Sequence, residues 1–199
     1  MTLKPAGLLF DMDGVLVDSR ESWYQSLVHL IREQFGRDLT RKEFLENYWA
    51  RDLRDIFAEL DLDMEPDSFC RNIFSRYLDA LVVGEDAAGT LERLSPFPKV
   101  IITNTPTACT RLILQKFGLE RFFHAVITGG EVKNGKPHPE IVYKGCKALG
   151  IEPQEAVLIG DSSLDVLAGR AAGCPVIGLG VEGDYTIQRL KELLALIAF

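Results

Sequence analysis

Residues 8–19 read LLFDMDGVLVDS, and this stretch decides the predicted fold. Its first three residues are apolar, and the run ends in Asp11 and Asp13, which are followed by Gly14. A short apolar run bounded by turn residues predicts a buried strand. Carboxylates at the end of a buried strand are unfavourable unless a cation, a partner or a reaction compensates their charge. The stretch therefore favours a metal-assisted site, although the same D-x-D-G pattern also occurs in calcium loops and ordinary turns.

The length, composition and charge of the chain limit the classes of protein to which it can belong. The 199 residues are enough to bury a core, as one domain or as a domain with an insertion. Hydrophobic residues make up 47% and charged residues 26%, which is typical of a soluble globular protein. The formal net charge of -7 disfavours nonspecific binding to nucleic acids and anionic membranes, because both require a basic surface. We therefore expect neither a nucleic-acid nor a membrane partner.

The cysteines and the N-terminus indicate the compartment. Cys70, Cys109, Cys146 and Cys174 are scattered and form no C-x-x-C pair, which favours free, buried thiols over disulfides or zinc. Residues 1–5 lack the apolar stretch of a secretory signal, and no stretch reaches transmembrane length. The sequence therefore predicts a soluble protein in a reducing cytoplasm. It does not predict an oligomeric state.

Helical signals occupy the chain from residue 19 to residue 82. Asp18 or Ser19 can cap a first helix, and the spacing of Thr40 and Glu43 is that of a capping box for a second. Two amphipathic segments follow, at 51–60 and 67–82. Because no convincing strand interrupts this block, it predicts an inserted all-helical subdomain.

The rest of the chain alternates between strands and helices. After the first strand, apolar runs predict strands at 99–104, 125–128, 156–161 and 175–179, with helices between them and a terminal helix at 186–198. Such alternation implies a parallel sheet covered by helices on both faces. The predicted fold is therefore α/β, with a Rossmann-like doubly wound core at 1–18 and 83–199 and the helical insert at 19–82.

Polar residues follow several of these strands. In a parallel sheet, ligands bind at the carboxyl ends of the strands, so these residues are expected at one edge. They are Thr103 and Asn104 after the second predicted strand, Lys136 after the third, and Asp161 and Asp165 after the fourth. Each also has a structural interpretation, such as a helix cap, a solvated lysine or an aspartate on a helix face. Their convergence with Asp11 and Asp13 favours a common site.

These residues resemble the motifs of the haloacid dehalogenase superfamily of aspartate-nucleophile phosphotransferases. DMDGV at 11–15 is similar to the first motif, and Thr103 is similar to the second. Lys136, within GKP, resembles the third motif, and GDSSLD at 160–165 resembles the fourth. The resemblance spans the chain and includes a helical cap inserted after the first motif.

Two details indicate which branch of the superfamily the sequence resembles. Val15 replaces the commoner threonine, but DGVLVDS at 13–19 resembles the branch of phosphoglycolate phosphatases and beta-phosphoglucomutases. Members that act as dehalogenases or cleave phosphonates lack an acid at the position of Asp13. The resemblance therefore implies chemistry on phosphate esters.

The resemblance also implies a cofactor and two catalytic acids. Mg²⁺ would be held by the Asp11 carboxylate, the backbone carbonyl of Asp13 and Asp161, an all-oxygen set that suits this cation. Asp11 would attack phosphorus to form an aspartyl-phosphate. Asp13 would protonate the departing alkoxide and then activate the hydrolytic water.

Further residues are implied to bind the phosphoryl group. Thr103 would donate its hydroxyl, and Lys136 would balance charge at the nucleophile and the phosphate. Backbone N–H groups around Gly14 and Asn104 would add to this anion site. Asp165 would orient Lys136 or a metal-bound water, with a purely structural aspartate as the alternative.

The sequence leads to one main functional hypothesis and several rivals. The main hypothesis is an Mg²⁺-dependent phosphatase acting on a small phosphorylated metabolite. Arg51 is the first candidate for a substrate clamp in the cap, ahead of Arg20 and Arg54. The nearest rival is a sugar phosphomutase of the beta-phosphoglucomutase type, which uses the same core. A phosphoaccepting signalling domain and a catalytically silent interaction protein are the remaining alternatives.

Overall fold

The structure is a computed structural model and describes residues 2–84 and 86–198. Residues 1, 85 and 199, all within the predicted core at 1–18 and 83–199, lie outside the described residues.

A parallel sheet forms the centre of the molecule. In chain order the strands are β1 (Gly7–Phe10), β2 (Val17–Asp18), β3 (Val82–Val83), β4 (Lys99–Ile102), β5 (Ala125–Ile127), β6 (Ala156–Gly160), β7 (Val176–Leu179) and β8 (Tyr185–Ile187). Six of them form one sheet in the order β5-β4-β1-β6-β7-β8, and every described pairing within it is parallel. The first strand is therefore central, between β4 and β6. The predicted doubly wound parallel sheet is confirmed.

Helices cover this sheet and make up the insert between β2 and β3. They are α1 (Arg20–Phe35), α2 (Arg41–Asn47), α3 (Leu53–Glu59), α4 (Pro66–Asn72), α5 (Ala87–Arg93), α6 (Thr107–Phe117), α7 (Glu140–Leu149), α8 (Ser163–Ala172) and α9 (Leu193–Leu196). Short 3₁₀ helices lie at Phe74–Ala80, Glu120–Phe122, Gly129–Glu131, Pro153–Glu155 and Leu190–Glu192. No helix among the described residues is long and apolar enough to cross a membrane.

The strand β1 is buried on both faces because its side chains alternate. Leu8 and Phe10 join one hydrophobic cluster, whereas Leu9 joins the second, and all three are fully buried. Apolar residues on both faces are what a strand between two helical layers requires.

The chain segment that carries α1–α4 is connected at both ends to the rest of the molecule by a short antiparallel ribbon of two strands. Val17 pairs with Val83 and Asp18 with Val82, so β2 and β3 lie side by side. Ser19 occupies the N-cap position of α1 but does not cap it through its side chain. Its hydroxyl donates to Asp13 instead, which links the start of this helix to the acidic pair.

Two predicted helices were wrong in part. The segment 186–198 begins with β8, whose three residues are too few for their periodicity to be recognised, and only Leu193–Leu196 is α-helical. The segment 67–82 breaks after α4, where a 3₁₀ helix with non-helical angles at Tyr77 leads into β3. The first difference arises because pairing of β8 with β7 outweighs local helix propensity.

The prediction of four free thiols was wrong for two cysteines. Cys70 of α4 and Cys109 of α6 form a disulfide, with their Cα atoms 5.1 Å apart. The two residues are 39 positions apart in the chain, so their approach depends on the packing of α4 against α6. Cys146 and Cys174 are free and buried, and burial raises the pKa of their thiols to about 11 and about 12. The disulfide removes the argument from free cysteines for a reducing compartment.

Reducing this disulfide is expected to lower the free energy of unfolding by about 2–4 kcal/mol, because the bond closes a loop that the unfolded chain otherwise samples freely. Denaturant unfolding with and without a phosphine reductant measures the loss. The double variant Cys70→Ala/Cys109→Ala, which retains Cys146 and Cys174, is the control and should not respond to the reductant. Equal unfolding midpoints for the oxidised and reduced wild-type protein would contradict the prediction.

Candidate active site

A buried lysine lies between two carboxylates at the carboxyl edge of the sheet. Lys136 Nζ is 2.9 Å from Asp11 Oδ1 and 2.6 Å from Asp165 Oδ1, and it donates to the carbonyl of Ile102 at 3.3 Å. Asp11 follows β1 and Asp165 lies in the first turn of α8, whereas Lys136 comes from the loop after β5. Three segments thus bring these charges together.

This arrangement raises the pKa of both Asp11 and Lys136, which disfavours the charged form of the acid and favours the charged form of the lysine. Burial, and then repulsion from Asp165, raise the pKa of Asp11 well above its ordinary value, although Lys136 opposes the shift. Burial alone would lower the pKa of Lys136, but Asp11 and Asp165 raise it above its ordinary value. The ammonium is therefore held in its charged form beside an acid that resists ionisation. Because Asp165, Asp161 and Asp13 all repel a negative charge on Asp11, a further cation at this centre would relieve that repulsion.

Asp161 supplies an oxygen suited to that cation. Its Oδ1 is buried and has no hydrogen-bond partner among residues 2–84 and 86–198. Burial, followed by repulsion from Asp165, raises the pKa of Asp161 to about 7. Carboxylate oxygens of Asp11, Asp161 and Asp165 lie within 4.8 Å of one another.

These oxygens fit the Mg²⁺ ion that the sequence predicts. Both oxygens of Asp165 are already engaged, by Lys136 and by Ser162 at the start of α8, whereas Asp161 has a free one. Asp11 and Asp161 are therefore the side chains that would hold the ion, and all-oxygen coordination is what Mg²⁺ prefers.

Gly14 makes room for Asp161. A Cβ at this position would lie 1.8 Å from Asp161 Oδ2, and its φ of +78° is a conformation that favours glycine. The N–H of Gly14 donates to the carbonyl of Val17 at 2.8 Å, so in this structure it is not free for a phosphate. Gly14 thus contributes space and turn geometry.

Asp13 is held by four hydrogen-bond donors. Its Oδ2 accepts from the hydroxyls of Thr105, at 2.7 Å, and Thr103, at 3.4 Å. Its Oδ1 accepts from the Ser19 hydroxyl and from the Trp23 indole N–H, the latter at 3.2 Å. Because hydroxyls both donate and accept, three of these partners can also accept a hydrogen bond from the protonated carboxyl. The network therefore accommodates both forms that an acid–base catalyst must adopt.

Asn104 fixes the loop that carries Lys136. Its Oδ1 accepts from the Lys136 N–H at 2.7 Å, and its Nδ2 donates to the Lys136 carbonyl at 3.0 Å. The same Nδ2 also donates to the carbonyl of Ala50 at 3.2 Å, between α2 and α3. This side chain therefore positions the lysine and contacts the helical insert.

One cavity joins the acidic centre to the helical insert. Asp11, Asp13, Thr103 and Lys136 line it from the sheet side, and α1–α3 with their connections line it from the other. Arg51 also lines it, but its guanidinium pairs with Glu59 and donates to the carbonyl of Asn47 at 2.8 Å. The expectation that Arg51 clamps a substrate therefore requires this ion pair to open.

The family model of haloacid dehalogenase-like hydrolases matches residues 8–179. The chain belongs to this family. The pyrophosphatase PpaX of Bacillus pumilus is 31% identical over 206 residues, which cover 96% of this chain and 95% of the relative. The phosphoglycolate phosphatase of Photorhabdus laumondii is 31% identical over 192 residues, with 89% and 81% of the two chains covered. A solved hydrolase of the superfamily (subfamily IA) from Geobacter sulfurreducens is 27% identical, with a TM-score of 0.81, and the match covers 98% of this chain and 100% of that one.

Three partners of Asp13 in this hydrolase were missed in the sequence. They are Ser19, which the sequence predicts only as a possible helix cap, Trp23 and Thr105. Thr105, two residues beyond Thr103 at the end of β4, is the one that strand spacing could have indicated. Ser19 and Trp23 reach Asp13 only because α1 lies over the sheet edge, which no local pattern reveals.

The raised pKa of Asp161 predicts how the metal-free hydrolase responds to pH. The unfolded chain loses this proton near pH 3.8, whereas the folded chain retains it until about pH 7. Its contribution to stability is therefore present below the lower value and lost as the pH rises through the upper one. We expect the melting temperature of Asp161→Asn to fall less than that of the wild-type protein between pH 5 and pH 8 in a chelator.

The exposed Asp63→Asn is the matched control and should behave like the wild-type protein. Adding Mg²⁺ at pH 8 should raise the melting temperature of the wild-type and Asp63→Asn proteins more than that of Asp161→Asn. Parallel pH profiles for all three proteins, with equal responses to Mg²⁺, would be inconsistent with an unpaired carboxylate at this position.

Proposed function

We propose that this hydrolase is an Mg²⁺-dependent phosphatase that cleaves small phosphomonoesters through an aspartyl-phosphate at Asp11. The observation that carries the proposal is the shared cavity of Asp11, Asp13, Thr103 and Lys136. The names of the relatives, a pyrophosphatase and a phosphoglycolate phosphatase, support phosphoryl chemistry in the same family.

Charge neutralisation is the first requirement of the proposed reaction, because a phosphate dianion repels an anionic nucleophile. The Lys136 ammonium, 2.9 Å from the Asp11 carboxylate, offsets part of this charge. A bound Mg²⁺ would supply further positive charge at the phosphoryl oxygens. Asp165 and Asn104 hold Lys136 in place from its side chain and its backbone, respectively.

Two displacements at phosphorus would complete the reaction. In the first, an oxygen of Asp11 bonds to phosphorus, the ester P–O bond breaks, and Asp13 gives its proton to the leaving alkoxide. In the second, Asp13 takes a proton from water, whose oxygen attacks phosphorus and releases phosphate and the free Asp11 carboxylate. Thr103, whose hydroxyl donates to Asp13 in this structure, would turn that hydroxyl to donate to a phosphoryl oxygen.

Residues 19–82 would act as a cap over this chemistry, on a core formed by 1–18 and 83–199. The β2–β3 ribbon is where the two parts join, so it is the place where the cap would pivot. Closure over the cavity would exclude bulk water, as lids do in many enzymes.

The proposal is tested by measuring phosphate release from a panel of phosphomonoesters with Mg²⁺ and with a chelator. We expect release that depends on the metal. Release from hexose 1-phosphates is measured with and without a hexose bisphosphate primer. Primed isomerisation with negligible release of phosphate would overturn the phosphatase proposal and indicate a sugar phosphomutase.

A further inference from the structure

The part of the cavity wall that belongs to the helical insert is mostly apolar, with Tyr48 and Arg51 as its polar side chains. Its apolar residues include Trp23, Leu27, Phe44, Trp49, Leu53 and Ile56. Leu27, Phe44, Leu53 and Ile56 are almost fully buried. The Phe44 and Trp49 rings pack together with centroids 5.9 Å apart. A group that leaves the phosphoryl centre thus faces hydrocarbon and aromatic surfaces.

The cations at this cavity already have anionic partners. Among the described lining residues, the two cationic side chains are Lys136 and Arg51. Lys136 is bound by Asp11 and Asp165, and Arg51 Nη1 is 3.0 Å from Glu59 Oε2. A carboxylate or a second phosphate on the substrate would therefore lack an unpaired cation, which buried anions require.

Three hydrogen-bonding side chains around the cavity, one on the insert side and two on the sheet side, are also committed. The indole N–H of Trp23 donates to Asp13, as do the hydroxyls of Thr103 and Thr105. A sugar placed against this wall would lose the hydrogen bonds that its hydroxyls make with water. An apolar leaving group has no such hydrogen bonds to lose, and its transfer from water to the apolar wall is favourable in free energy.

We propose that the leaving group is an apolar alcohol, with a flat aromatic ring as the best fit, so that the substrates are phosphomonoesters of such alcohols. This inference rests on the proposed phosphatase function and specifies its substrate class. It excludes hydroxy acids, sugars and phosphate itself as preferred leaving groups. Burial of one phenyl ring in such a pocket is worth about 10- to 100-fold in kcat/KM.

The size of the cavity indicates how such a substrate enters. Its volume is about 40 Å³, which is room for roughly three water molecules. A phosphomonoester is larger, so the wall formed by α1–α3 must move away from the sheet edge for binding. The apolar residues would then close on the ring after entry.

The test compares kcat/KM for benzyl phosphate, methyl phosphate, phosphoglycolate, glucose 6-phosphate and pyrophosphate in Mg²⁺. Benzyl and methyl phosphate both release uncharged primary alcohols, so the ring is the main difference between them. We expect benzyl phosphate to exceed each of the others by about 10-fold or more. Faster turnover of phosphoglycolate, glucose 6-phosphate or pyrophosphate would overturn the inference and leave the phosphatase function standing. No phosphate release from any of the five would overturn both.

The variant Trp49→Ala tests the wall directly, since this residue is only partly buried. We expect kcat/KM for benzyl phosphate to fall about 10-fold, with methyl phosphate changed by less than about 2-fold. Trp49→Phe keeps a flat ring and should restore most of the lost rate. Phe35→Ala removes an aromatic residue that is 44% exposed on α1, outside the cavity lining, and should leave both substrates unaffected.

Equal losses for benzyl and methyl phosphate in Trp49→Ala would show that the residue only supports the fold, and the inference would then fail. Melting curves establish whether each variant is folded. If Trp49→Ala does not fold, the ranking of the five substrates by the wild-type protein decides the matter.

Discussion

Replacing Asp11 with asparagine is expected to lower kcat about a thousandfold or more, because the amide cannot form the covalent intermediate. The variant should retain or gain thermal stability in the absence of metal. Burial raises the pKa of Asp11, which means that its negative charge is unfavourable in the folded chain, and repulsion from Asp165 adds to this. The amide oxygen of the Asp11→Asn variant would still accept the hydrogen bonds that Met12 N–H and Lys136 give to Asp11 Oδ1.

Phosphate release and melting temperature are measured on the same preparation of Asp11→Asn. Asp63→Asn, an exposed residue in the helical insert, is the matched control and should keep wild-type activity. Appreciable turnover by Asp11→Asn would rule out a nucleophilic role for Asp11. A loss of both activity and folding would instead point to a structural role.

Replacing Lys136 with methionine is expected to lower the free energy of unfolding by about 3–5 kcal/mol, because Asp11 and Asp165 would be left buried without their cation. Activity should also be lost. Denaturant unfolding at pH 8 in a chelator measures the effect. Lys116→Met is the matched control, since Lys116 pairs at 3.2 Å with the exposed Asp79 and such pairs contribute at most about 1 kcal/mol.

The double variant Lys136→Met/Asp165→Asn separates stability from catalysis. Removing one of the two orphaned carboxylates should recover part of the stability without recovering activity. A stability loss in Lys136→Met no larger than that in Lys116→Met would contradict a buried charge cluster at this site.

The sheet and its acidic edge were predictable because their signals are local. Five apolar runs are long enough to be identified as strands, and the polar residues that follow four of them lie at one edge once the sheet is parallel. The resemblance of their motifs to a known superfamily paired Asp11 and Asp161 as metal ligands without knowledge of any side-chain position. By contrast, β8 was not predicted, because three residues are too few to show the alternation of side chains that identifies a strand.

The features that were missed depend on how the helical insert lies on the core. The Cys70–Cys109 disulfide, the contact between Trp23 and Asp13 and the pairing of Arg51 with Glu59 join residues that no local pattern relates. Each of these contacts forms only when the elements that carry the two residues have packed together. This is also why the apolar cavity wall, on which the proposed leaving group rests, could not be inferred from the sequence.

The most direct test is to identify the residue that carries the phosphoryl group. Asp13→Asn is the suitable variant, because it lacks the base that would activate water and so should accumulate the intermediate. An aryl phosphate with a good leaving group removes the need for the acid in the first step. After acid quenching, borohydride reduction and peptide mass analysis, we predict homoserine at position 11 in a substrate-dependent fraction of the chains. Unmodified Asp11 during active turnover, or a phosphoryl group on another residue, would contradict an aspartyl-phosphate at Asp11.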